Sequence, residues 1–99
     1  MLKHTLFIGL NDKDTLKQEI STDDFKTKIN NVLGDCTIKE GATGYYTHDN
    51  GNTVVEKSLE VTKFGGSKRK IIEYAKQLKQ VLNQESIILE TTVSKSDFI

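Results

Sequence analysis

Apolar and polar residues alternate from His4 to Leu10, with Leu6, Ile8 and Leu10 on one side and Thr5, Phe7 and Gly9 on the other. A period of two over that length predicts a strand. A polar stretch, NDKDTLKQE, follows without any apolar period. The period then changes: Phe25, Ile29, Val32 and Leu33 are spaced as one stripe of a helix. Its start is marked by Ser21 as a cap, with Asp24 three residues on and Ile20 placed to staple against Phe25. Gly34 is the residue expected just past its end. Two β-rich runs, Cys36 to Thr47 and Thr53 to Phe64, flank HDNGN, where Asn50-Gly51 suits a tight reversal. In the second run Val55, Leu59 and Val61 point one way; Glu56, Ser58 and Glu60 point the other, toward solvent or a partner. A second helix is predicted after Gly65-Gly66, capped by Ser67, with Ile71, Ala75, Leu78 and Leu82 as its stripe and Tyr74 and Val81 on the flanks. A last strand places Ile87, Leu89 and Val93 inward and Ile88 and Glu90 outward.

The predicted order is β-α-β-β-α-β. Alternation, rather than continuous apolar runs, is what an antiparallel sheet covered on one face requires. The expected architecture is therefore α+β: a ferredoxin-like sandwich, a four-stranded antiparallel sheet with two helices on one face. The 99 residues make one domain spanning 1–99.

Charge changes the picture little. Fourteen Lys and Arg balance fourteen Asp and Glu, so no overall field draws the chain to nucleic acid or membrane. The first strand, LFIGLN, has the aromatic Phe7 that an RNA-binding sheet would use, but the third strand offers Glu56 and Glu60 where bases would stack. Nucleic acid is thus not an expected partner. A lone cysteine, Cys36, and the absence of a long apolar run point to a cytoplasmic protein without a membrane span.

Candidate chemistry is local. Ser67, Lys68, Arg69 and Lys70 form a basic first turn, where the helix dipole disfavours each cation by about 0.3–1 kcal/mol and a bound phosphate or carboxylate would relieve the conflict. Tyr45, Tyr46, His48 and Asp49 give a hairpin tip with aromatic and titratable groups, read as a protein contact, with Asp49 serving the turn. Phe7 and Ile88 lie on the helix-free face, which makes that face a candidate for self-association. His4, Cys36 and His48 lack the spacing of a metal site, and no catalytic constellation or cofactor motif stands out.

The stretches TLFIGLNDKDT, ATGYYTHDNG, VVEKSLEV and LNQESI together resemble a group of small proteins carried by phages, plasmids and integrated elements of Gram-positive bacteria. No functional residue comes with that resemblance. More distantly, GDCTIKEGATGYY and EKSLEV are similar to PII-like proteins, in which the same strand order forms a trimer with nucleotides bound between subunits. Together these imply a non-enzymatic interaction or accessory protein of a mobile element, acting on a host or element-encoded protein. The alternative they imply is a PII-like sensor of a phosphate or nucleotide, built as an oligomer.

Overall fold

The structure, a computed structural model, describes residues 1–47 and 49–99. Six elements follow one another: β1 (Leu2–Gly9), α1 (Thr22–Leu33), β2 (Thr37–Thr47), β3 (Thr53–Phe64), α2 (Lys68–Val81) and β4 (Ile88–Val93). The strands form one sheet in the order β2-β3-β1-β4, and every neighbouring pair is antiparallel. This is the ferredoxin-like order expected. No helix among the described residues is long and apolar enough to cross a membrane.

Local signals set the helices. The Ser21 hydroxyl accepts from Asp24 N–H at 3.1 Å, and Gly34 leaves α1 with φ of 69°. The Ser67 hydroxyl accepts from Lys70 N–H at 3.2 Å, after Gly65 and Gly66 turn the chain with φ near 81° and 82°. Phe25, Ile29 and Leu33 of α1 meet Leu78 and Leu82 of the second helical segment over Leu6, Ile8, Leu59 and Val61 of the sheet. Each such buried side chain contributes about 1.5–3 kcal/mol, before the entropy of ordering the chain is counted. Both helices therefore lie on one face, because each apolar stripe has only that side of the sheet to bury against.

The register explains where side chains go. Leu6 stands opposite Val61 and Leu89, and Ile8 opposite Leu59, all on the helix side. Phe7 stands opposite Glu60 and Ile88 on the other side. Two expectations change at the strand ends. Val55 and Val93 have helix-side parity, yet both are exposed, because the strands run past the ends of the helices. Among the described residues of the hairpin, only Gly51 has positive φ; Asn50 instead accepts from Asn52 N–H through its side chain at 2.9 Å.

One irregularity matters for function. Between Lys39 and Ala42 the β2–β3 register slips by one residue, with Gly41 at φ of 91°. An extra residue reverses the facing of everything beyond it. Ile38 stands opposite Val61 on the helix side, whereas Ala42, Gly44 and Tyr46 stand opposite Ser58, Glu56 and Val54 on the open side. An ion pair from Lys26 of α1 to Glu40, 2.8 Å, ties the bulge to the helix layer.

Candidate functional site

The open face of the sheet is not uniformly open. At the Gly9 end of β1, Glu56 and Ser58 are buried, contrary to the expectation that they meet solvent or a partner. Two glycines make the room. A Cβ on Gly9 would fall on the Glu56 carboxylate, and a Cβ on Gly44 would fall on the Tyr46 ring. With no side chain on Gly44, the Tyr46 ring lies across the backbone of β2 and brings its hydroxyl to 3.3 Å from Ser58 Oγ. Glu56, opposite Gly44, accepts from the Asn11 N–H at 2.7 Å, a charge-assisted bond made where β1 stops pairing.

The far wall comes from the connection between α2 and β4. Gln84 is buried, and its Nε2 donates to the Asn11 carbonyl at 2.9 Å. Asn83 takes a left-handed φ of 48° and donates from Nδ2 to Asp12 at 2.7 Å and Asp14 at 2.9 Å, while Lys13 N–H donates to the Asn83 carbonyl at 3.0 Å. The β1–α1 loop, featureless in pattern, is thus laced to the residues after α2. The Asn83 side-chain bond, helped by the N–H groups of Asp14 and Thr15, holds the Asp12 carboxyl below its ordinary value. The hairpin closes the third side, where Asp49 N–H donates to Glu85 at 2.7 Å.

These parts surround a small cleft, about 20 Å³ of enclosed space behind an open mouth, lined by Gly9, Asn11, Tyr46, Glu56, Gln84, Glu85 and Ser86. The lining carries two carboxylates, a phenol and a hydroxyl, with no Lys or Arg among the described residues. Its electrostatics favour a cation or a group rich in N–H and O–H donors. No three His, Cys, Asp or Glu among the described residues are grouped to hold a metal ion.

Of the residues singled out in the sequence, Tyr46 lines this cleft and Asp49 borders it through its backbone. Tyr45 is turned to the opposite side by the bulge and is 72% exposed. His48 lies outside the described residues. Phe7 and Ile88 face each other across β1 and β4 on the open side, and Ile88 is exposed. Ser67, Lys68, Arg69 and Lys70 sit at the start of α2, whereas the cleft takes its wall from beyond the other end of that helix. Lys70 lies 5.2 Å over the Tyr74 ring. His4 is a satisfied core histidine, 2.9 Å from Thr91 Oγ1 and 3.0 Å from the Gly66 carbonyl. Burial pushes the Cys36 thiol up, away from the reactive thiolate. Glu56, Gln84, Glu85, Asn11 and the two spacer glycines were missed as site residues; the signal for them was Gly44 before Tyr46 on one strand facing Glu56 before Ser58 on the next.

No protein-family model and no curated protein matches the chain. Solved structures do. A phage SAM lyase in complex with S-methyl-5′-thioadenosine matches with a TM-score of 0.75 at 25% identity, over 92% of this chain and 79% of its own. A phage SAM lyase in the apo state matches with a TM-score of 0.70 at 24% identity, over 92% and 78%. The phage origin of these neighbours agrees with the resemblance to phage-borne small proteins. Their being enzymes overturns the expectation of a non-enzymatic accessory protein, and the PII-like sensor falls with it. The chain is similar along nearly its whole length to an enzyme that binds a thioether nucleoside.

Proposed function

We propose that the protein is a lyase that cleaves S-adenosylmethionine (SAM) and releases S-methyl-5′-thioadenosine. The observation that carries the reading is the likeness, over 92% of the chain, to a SAM lyase holding that nucleoside. The acidic cleft supports it from the side of chemistry. SAM carries a sulfonium, and on its amino-acid arm an ammonium beside a carboxylate, a net charge of one positive, and Glu56 and Glu85 line the cleft with negative charge.

The bond that breaks follows from the product. S-methyl-5′-thioadenosine retains the methyl and adenosyl groups, so the sulfur must part from the four-carbon amino-acid arm. The electron pair of that C–S bond goes to sulfur, which becomes a neutral thioether. A lyase uses no water, so the arm makes good its loss internally. Its own carboxylate closes a lactone on the carbon that held sulfur, or a neighbouring C–H gives up its proton to a carboxylate of the cleft such as Glu56 and a double bond forms. Both routes balance, and both depend on holding a flexible arm in one geometry. Glu56 is suited to that task because the Asn11 N–H holds its carboxylate in the space that bare Gly9 leaves. Tyr46 supplies a ring face beside it, to which a sulfonium is attracted as other cations are. The enclosed space, about 20 Å³, takes a single small group, so most of a SAM-sized molecule lies outside it.

The test is direct. Purified protein incubated with SAM is expected to form S-methyl-5′-thioadenosine, followed by chromatography. Glu56→Gln keeps the acceptor for Asn11 but loses the charge, and is expected to lower kcat/KM by about a hundredfold or more, the scale of losing a fixed electrostatic contact at a reacting centre. No nucleoside product from the wild type would end the reading.

A further inference from the structure

We propose that the side-chain oxygen of Gln84 receives the ammonium group of the substrate's amino-acid arm, and so distinguishes molecules that carry the arm from the nucleoside product that has lost it. The inference rests on the lyase reading and goes beyond it to the group that sorts substrate from product.

Gln84 is 4% exposed. Its Nε2 donates to the carbonyl oxygens of Asn11, at 2.9 Å, and Leu82, at 3.3 Å. Carbonyl oxygens only accept, so the amide cannot be turned over: nitrogen must face them, and Oε1 must face away. That oxygen has no donor among the described residues, although the residue lines the cleft beside Glu56 and Glu85. Native proteins seldom bury an acceptor without a donor, and a role in binding or catalysis is one of the reasons for the exceptions.

The surroundings select the donor. Glu56 and Glu85 accept when ionised, Ser86 can accept, and no described lining residue is a cation. Asn11, Tyr46 and Ser86 can donate as well, but with two carboxylates in the lining a positively charged donor is the best match. An ammonium has three N–H bonds and no lone pair. Ribose hydroxyls and the adenine amine can also donate, but both are neutral and bring no charge to the two carboxylates. The ammonium fits, and its positive charge adds attraction to both carboxylates. Once the C–S bond has broken, the thioether nucleoside has nothing to offer Gln84 and is held less tightly.

S-adenosylhomocysteine is the probe, because it keeps the arm, is neutral at sulfur and cannot undergo the cleavage. Its affinity and that of S-methyl-5′-thioadenosine are measured by calorimetry on the wild type, Gln84→Met and Gln84→Lys. Lysine retains N–H donors for the Asn11 and Leu82 carbonyls while replacing the acceptor with a cation, and thermal melting reports whether each variant is folded. Gln84→Met is expected to weaken S-adenosylhomocysteine about ten- to a hundredfold, the worth of a hydrogen bond to a charged group, and to change the nucleoside by less than about threefold. Gln84→Lys is expected to weaken the arm-bearing ligand further still. Equal losses for both ligands, or no loss for S-adenosylhomocysteine in a folded variant, would overturn the inference while leaving the lyase reading in place. A wild type that binds neither ligand and makes no product from SAM would overturn both.

Discussion

Gly9 and Gly44 show how an absent side chain can shape a site. Neither has positive φ, so neither is glycine for the sake of the backbone. Both are glycine for space, one for the Glu56 carboxylate and one for the Tyr46 ring. Adding a methyl at Gly9 meets the far end of a flexible side chain, which can swing aside, so the fold should tolerate it. The carboxylate would then leave the Asn11 N–H. Gly9→Ala is expected to melt within about 4–8 °C of the wild type, a cost of about 1 kcal/mol for a domain of this size, yet to lose about tenfold or more in kcat/KM, as a displaced positioning group would. Unchanged turnover would show that Glu56 need not be held there. The sequence marks Gly9 only as a polar-side position in an alternating strand, since what a glycine makes room for stands on another strand.

At the scale of elements, the bulge in β2 decides which tyrosine serves the cleft. Ile38 and Tyr46 have the same parity in sequence, and a regular strand would place both on the helix side. The extra residue between Lys39 and Ala42 sends Tyr46 to the open face and Tyr45 to the other. Deleting Gly41 should restore even pairing and exchange the two tyrosines' faces. The expected outcome is a sheet retained by circular dichroism, with product formation from SAM reduced about a hundredfold or more, as for loss of a group at a reacting centre. A deletion variant with full activity would rule out Tyr46 as part of the site. The YY pair was visible from the start, but choosing between its members required the pairing partner, because a bulge is a relation between two strands.

At the scale of the molecule, two connections that look unrelated in sequence act as one wall. Asp12 and Asp14 from the β1–α1 loop meet Asn83 after α2, and Asn11 meets Gln84. Because the Asn83 bond lowers the Asp12 pKa in the folded state, the native protein prefers the ionised carboxylate. That stabilisation is complete above the ordinary Asp value of 3.8 and is lost as pH falls through the lower folded value. Solvent around Asp12 keeps its magnitude small. Urea midpoints of wild type and Asn83→Ala, compared from about pH 6 down to pH 2, should differ most at the upper end and narrow in acid to the pH-independent cost of alanine at a left-handed φ. A gap that stays the same width from about pH 6 to pH 2 would mean that the bond does not act through the Asp12 charge.

Strands, helices, their caps and their order were legible in the chain because each depends on residues within a few positions of one another: a period of two, a period of 3.6, a serine before a first turn, a glycine after a last one. The single layer of helices also followed, since each apolar stripe has one partner to bury against. The cleft was not legible. Glu56 read as a solvent-facing charge, Gln84 as part of a polar connection and Asn11 as the start of a loop. Burial, a shared hydrogen bond and a common face join residues 11, 46, 56 and 84, and these arise only when β1, β2, β3 and the segment after α2 are brought together. Local order is a property of neighbours in the chain; an acidic cleft under a hairpin is a property of neighbours in space, and only folding made them neighbours.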